Sequence, residues 1–169
     1  MIAQSIPDFI RTLTALSGIL EKGAASAQAR KIDPQVLTSA RLAPDMFALS
    51  KQVQIACDVG KLGFARLSGI EAPKFADTET TFEELQARIA KTIDYLRTVT
   101  AESLAGVEDK VVSFPAGPDR VLKLKGRDFL YQWMLPNVYF HTVTAYAILR
   151  HNGVDVGKMD YLKGADLLP

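Results

Sequence analysis

Four long stretches of this chain carry apolar residues at the spacing of an α-helix, and only one short stretch alternates as a strand does. An amphipathic helix has a stripe to bury, and four such stripes bury one another most simply in a bundle. The first stretch runs from about Ser5 to Ala27, with Phe9, Ile10, Leu13, Leu16, Ile19 and Leu20 on one face. Ser5 is placed to cap it, and Pro7 falls where a missing N–H costs nothing. A short helical turn is expected from Pro34 to Ser39. The second stretch runs from about Pro44 to Ser68, with Gly69 as its stop. Its stripe reads Leu49, Val53, Ala56, Val59, Gly60, Gly63 and Leu67. Each interior glycine costs about 1 kcal/mol against alanine, which points to a closely approaching neighbour or to helix ends that lie elsewhere. Gln52 interrupts the edge of this stripe, whereas Gln54 and Asp58 point the opposite way. Asp58 with Lys61 reads as a solvated helix pair.

The third helix has the clearest start. In Thr81-Phe-Glu-Glu84 the Thr81 hydroxyl and the Glu84 carboxylate can each take the other's backbone N–H, a capping box. The helix is expected to reach Thr98 and to bury Phe82, Leu85, Ile89, Ile93 and Leu96. Between Lys110 and Gly126 the period changes, and a β-hairpin is expected around Pro115-Ala-Gly-Pro118. A lone hairpin is barely stable, so it must lie against the bundle. The last helical region starts near Arg127. Pro136 is expected to break it into Phe129–Met134 and a second piece that ends with Gly153 at the C′ position. The tail from Val154 to Pro169 reads as irregular and packed on the surface.

The expected architecture is therefore mainly α, a four-helix bundle with a short β-hairpin before the last helix, forming one domain over residues 1–169. A chain of this length buries roughly 70% of its unfolded surface, enough for a core without staples. A net charge of +1 argues against a nucleic-acid footprint, which needs clustered basic surface. Arg120, Lys123, Lys125 and Arg127 alternate with apolar residues and read as the solvated face of a strand. The single cysteine, Cys57, cannot form an internal disulfide and reads as a small, semi-buried helix residue rather than a nucleophile. The N-terminus lacks the pattern of a signal peptide, and no apolar run approaches the ~20 residues that cross a bilayer. The expectation is a soluble protein of a bacterial cytoplasm with no nucleic-acid or membrane partner.

Both histidines lie in the last helical region. His141 shares a face with Asn137, one turn earlier, and reads either as a buried polar residue bonded to Asn137, Gln52 or a backbone carbonyl, or as part of a metal or small-ligand pocket, or as an acid–base group. Asn137 follows Pro136 as a polar residue at a helix start, and His151 suits the negative end of the helix dipole. Tyr131, Trp133, Tyr139, Phe140 and Tyr146 form an aromatic-rich region suited to core or subunit-interface packing.

The pattern His141 followed by Ile148-Leu-Arg-His-Asn-Gly153-Val, behind a hairpin and a long second connection, resembles the DinB/YfiT-like superfamily of small bacterial four-helix bundles. Ala40-Arg-Leu-Ala-Pro-Asp-Met46, Gln52-Val-Gln-Ile-Ala56, Ala87-Arg-Ile-Ala-Lys91 and Leu135 to Gly157 resemble one branch of it, a bacterial domain of unknown function, over nearly the whole chain. The resemblance implies that metal-binding members use three histidines, one from the second helix and two from the last. His141 matches the second of the final pair, Asn137 stands where the first would be, and the second helix has no histidine. Its position falls to a glutamine, and periodicity favours Gln52 over Gln54. Imidazole suits zinc, nickel and iron, whereas an amide oxygen is a weak neutral ligand. His141, Asn137 and Gln52 are thus expected to form a degenerate metal site that holds no cofactor, with divalent zinc, nickel or iron as the alternative.

Three functions follow from the resemblance. The first is a small-molecule-binding or stress-associated module. The second is a metal-dependent thiol transferase-like enzyme, in which the metal would hold a thiolate for attack on an electrophile. The third is a structural or interaction protein that forms a homodimer through its aromatic surface. Enzyme and binding protein both stay open at this point.

Overall fold

A computed structural model describes residues 2–115, 117 and 119–165. Parts of the expected hairpin turn, at 116 and 118, and the last four residues of the tail lie outside the described residues.

Helix α1 spans Ile6–Arg30 and buries Phe9, Leu13, Leu16, Ile19 and Leu20. Ser5 does not cap it. A 3₁₀ turn over Ile2–Ser5 already supplies helical backbone there, and the Ser5 hydroxyl donates to the Ile2 carbonyl at 2.6 Å. Helix α2, Pro34–Thr38, is capped by the Asp33 carboxylate, which accepts from the Gln35 amide at 2.9 Å. Helix α3, Leu49–Ser68, starts five residues later than Pro44. Pro44 instead sits in a turn closed by the Met46 amide on the Ala43 carbonyl, and the loop folds back so that the Leu49 amide reaches the Ala40 carbonyl. Gly69, at φ 80°, ends α3 as expected.

The interior glycines of α3 are contact points. A Cβ on Gly60 would lie 3.3 Å from Phe9 of α1, and one on Gly63 would lie 2.7 Å from the Met134 sulfur. Helix α4, Phe82–Thr98, carries the expected capping box: the Glu84 amide donates to Thr81 Oγ1 at 3.2 Å and the Thr81 amide donates to Glu84 Oε2 at 3.1 Å.

Strands β1, Val111–Pro115, and β2, Val121–Lys125, pair antiparallel with Phe114 opposite Leu122. Phe114 anchors the hairpin to the bundle through Phe129 and Trp133, with ring centroids 4.8 and 4.9 Å away. Lys123 and Lys125 are exposed, as the alternation predicts. A short turn of helix, α5 (Gly126–Asp128), then leads into a π-helical segment, Phe129–Met134, and on into α6, Leu135–His151.

The expected division at Pro136 falls where the helix changes from π to α, with Phe129–Met134 as the first piece, but the backbone stays helical across it. The wider π turn absorbs the missing N–H: the Leu135 amide reaches five residues back to Leu130. Gly153, at φ 81°, follows the helix end as expected. The tail is not wholly irregular. A short helix α7, Lys158–Tyr161, lies against α1, held by an ion pair between Lys22 and Asp160 at 2.7 Å.

Helices α1, α3, α4 and α6 are the bundle. α3 packs against both α6 and α4, so it must bury two faces rather than one. Among the described residues no helix is long and apolar enough to cross a membrane.

Candidate functional site

The two faces of α3 build two polar sites. The first joins α3 to α6. Gln52 is 1% exposed and His141 is 9% exposed, and His141 Nδ1 lies 2.7 Å from Gln52 Oε1. The Gln52 amide nitrogen donates to the Phe47 carbonyl at 3.1 Å. That bond fixes the carboxamide with its oxygen toward the imidazole, so Nδ1 carries the hydrogen and donates. The lone pair of the neutral ring is then on Nε2. Nε2 has no partner among the described residues, and Arg88 Nε is the lone described side-chain nitrogen or oxygen sealed from solvent without one. Nε2 thus still reaches solvent.

Burial pushes the His141 pKa down to about 4, so the ring is neutral at ordinary pH. Two exposed rings flank the pair: Phe140, 58% exposed, meets the His141 ring edge to face at 5.2 Å, and Phe47 belongs to the loop that holds Gln52.

Asn137 sits in the first turn of α6 on the His141 side of the helix, half-buried. Its side chain makes no hydrogen bond among the described residues. The structure therefore joins Gln52 to His141 and leaves Asn137 beside them. As a donor set for zinc, nickel or iron the three fit poorly. None carries charge, Gln52 Oε1 already accepts from Nδ1, and the amide oxygens are weak donors. Gln52 behaves here as the group that orients an imidazole, the place a carbonyl commonly takes beside a metal-ligating histidine.

The second site joins α3, α4 and the loop at 69–80, and periodicity had turned its residues outward. Gln54 is buried, Lys61 is 4% exposed, and Asp58 is half-buried. They turn in because α4 covers that face of α3 and brings Arg88, 2% exposed. The Arg88 guanidinium meets Asp77 at 2.7 Å, Asp58 at 2.9 Å and Glu79 at 3.0 Å. Lys61 also reaches Asp58 at 2.9 Å, and Gln54 donates to Glu79 at 3.0 Å. Phe75 completes the cluster, with Lys61 Nζ 3.8 Å and the Arg88 guanidinium 4.6 Å from its ring centre.

Burial alone would lower the Arg88 pKa; the hydrogen bonds it donates to Asp77 and Glu79 and the charges of Asp58 and Glu79 outweigh it and raise the pKa. Burial would raise the Asp77 pKa, but hydrogen bonds and charge from Lys51 and Arg88 bring it below the usual carboxylate value. Asp77 is also one of two non-glycine residues with positive φ among those described, 57°, a conformation its two ion pairs hold in place.

The Asp58–Lys61 pair is thus not a surface pair, since Lys61 is buried and Asp58 half-buried, and periodicity did not single out Arg88. A signal was present: Leu85, Arg88, Thr92 and Tyr95 fall at helical spacing and all are buried, so one arginine stood inside a buried stripe. Cys57 lies fully buried beside this cluster. Burial raises its thiol to about 12, which leaves it inert as a nucleophile.

The aromatic region divides. Trp133 and Tyr146 pack against the core, while Tyr131, Tyr139 and Phe140 are exposed. His151 is exposed in the last turn of α6, where its position suits the helix dipole.

Comparison with known proteins agrees with this architecture. A search of curated proteins returned no match. A crystal structure of a DinB family member from Shewanella denitrificans is 43% identical to this chain, covering 97% of this chain and 92% of that one, with a TM-score of 0.89. The model of a domain of unknown function, DUF1993, matches residues 1–162. The chain belongs to this DUF1993 family and has a DinB-like bundle fold.

Proposed function

We propose that this chain is a small-molecule-binding or stress-associated module of the cytoplasm, in which an oriented histidine replaces a three-histidine metal site. The observation that carries this reading is the 2.7 Å bond between His141 Nδ1 and Gln52 Oε1. It holds a neutral imidazole with its Nε2 acceptor toward solvent, beside the exposed ring of Phe140. Such a site suits a ligand with one O–H or N–H donor and an apolar body. The exposed row Tyr139, Phe140 and Val143 on α6 supports a homodimer as the working form.

The second reading is a metal-dependent, thiol transferase-like enzyme, favoured by the same outward Nε2. In that reading His141 would supply one imidazole ligand and Asn137 a weak oxygen, and Gln52 would orient the ring or release it.

The test is the metal content of protein purified without a His tag, followed by thermal shift with Zn²⁺, Ni²⁺ and Fe²⁺ for wild type and His141→Ala. The binding-module reading predicts far less than one ion per chain and no shift that depends on His141. Near-stoichiometric metal, or a stabilisation lost in His141→Ala, favours the enzyme and directs assays to thiol transfer.

A further inference from the structure

A cavity of about 660 Å³ opens between the C-terminal half of α3 and the loop at 69–80, on the far side of α3 from the His141 face. Leu62, Ile70, Pro73 and Phe75 give it apolar wall, and charges of both signs line it: Arg66 and Lys74, the exposed Glu71, and Lys61, Asp58 and Asp77 of the neighbouring cluster. Phe75 is already fixed by Lys61 and Arg88, so that part of the wall is formed before any ligand arrives.

The charges of the neighbouring cluster are matched among themselves. Lys51, Lys61 and Arg88 pair with Asp58, Asp77 and Glu79. Arg66 differs. It is half-buried and has no carboxylate partner among the described residues; the nearest aromatic ring, Phe114, is 6.0 Å away. Burial lowers its pKa with no anion to oppose it. Lys74, exposed on the same cavity, is likewise unpaired among the described residues. The carbonyl end of α3 would normally repel an anion here. Lys110 covers it, donating to the Arg66 and Leu67 carbonyls at 2.9 and 3.0 Å.

We propose that this cavity binds an amphipathic carboxylate, its acid group on Arg66 and Lys74 and its apolar body against Phe75, Ile70 and Leu62. A half-buried guanidinium without a counter-ion gains most from a carboxylate that arrives with its own apolar cover. The site is independent of the Gln52–His141 pair.

The test is an NMR titration of the ¹⁵N-labelled full-length chain with 2-naphthoate and, separately, with the neutral 2-naphthalenemethanol. Saturable shifts are expected in amides 62–75, with the neutral compound about tenfold weaker or worse. Arg66→Gln should weaken 2-naphthoate about tenfold with an unchanged melting temperature. Lys74→Gln, at an exposed residue, should weaken it by a smaller factor and keeps the test decisive if the Arg66 variant misfolds. Equal binding of the neutral compound, no saturable shift, undiminished binding to the variants, or shifts centred on Phe47, Phe140 and His141 would each overturn the proposal.

Discussion

Helix α3 carries two buried polar sites on different faces, and they are built on opposite principles. At Gln52 two neutral groups meet in one hydrogen bond, and each has a single further demand that a carbonyl or solvent meets. At Gln54, Asp58 and Lys61 the face joins a network of charges centred on Arg88, drawn from α3, α4 and a loop. The neutral pair can be dismantled from both sides at once with little left over. The charged cluster cannot, because removing the hub takes the shared guanidinium from three carboxylates and leaves Glu79 with no cation among the described residues. The first arrangement leaves a functional atom, Nε2, available; the second commits nearly every group to holding the loop at 69–80 against α3.

The comparison breaks most readily at Arg88. Arg88→Met should destabilise the fold by about 3 kcal/mol in urea unfolding, because the partly exposed Asp58, Asp77 and Glu79 lose the buried guanidinium they share. A loss below about 1 kcal/mol would mean that the charged cluster behaves like a surface network.

The next largest effect is acid sensitivity at His141. The unfolded chain takes up this proton below its ordinary 6.5, the native chain only below about 4. Between those values the unfolded state binds more protons, so stability falls as pH drops through the window and is level above and below it. A loss of about 2–3 kcal/mol is expected, somewhat under the full linkage value because the outer edge of the ring keeps some solvent. His141→Leu should remove the slope. The depressed pKa of Asp77 acts in a separate window: its stabilisation is present above the unfolded value of 3.8 and is lost as pH falls through the lower folded value.

Gln52→Leu should cost about 1–2 kcal/mol by stranding Nδ1–H and the Phe47 carbonyl, and Gln52→Leu with His141→Leu should recover most of that loss, which a double-mutant cycle would measure. The smallest effect belongs to the rim of the cluster. Lys51→Ala removes a half-exposed ion pair to Asp77 and should change stability by about 1 kcal/mol or less.

Most of the fold was legible because its signals are local. The Thr81–Glu84 capping box, the hairpin alternation and the glycine at the end of the last helix each rest on a few neighbouring residues. What was misread in the helix ends depended on backbone hydrogen bonds that apolar periodicity does not register. Ser5 cannot be seen as already inside a 3₁₀ turn, nor Pro136 as carried through a π turn, from periodicity alone. The start of α3 moved because the Leu49 amide has a partner nine residues back.

The sites divide in the same way. The Gln52–His141 contact was within reach, since both residues lie on the faces that their helices turn to the core. Gln54, Asp58 and Arg88 were not, because a one-stripe reading gives a helix one buried face and α3 has two.

The central claim is that Gln52 holds His141 as a neutral Nδ1–H imidazole with Nε2 free. The direct measurement is a long-range ¹H–¹⁵N NMR spectrum of the ring nitrogens at pH 7, before and after stoichiometric Zn²⁺. The account predicts a neutral ring protonated on Nδ1, unchanged by zinc, with the tautomer preference lost in Gln52→Leu. An Nε2–H tautomer in wild type, or a metal-bound Nε2 after zinc, would contradict it.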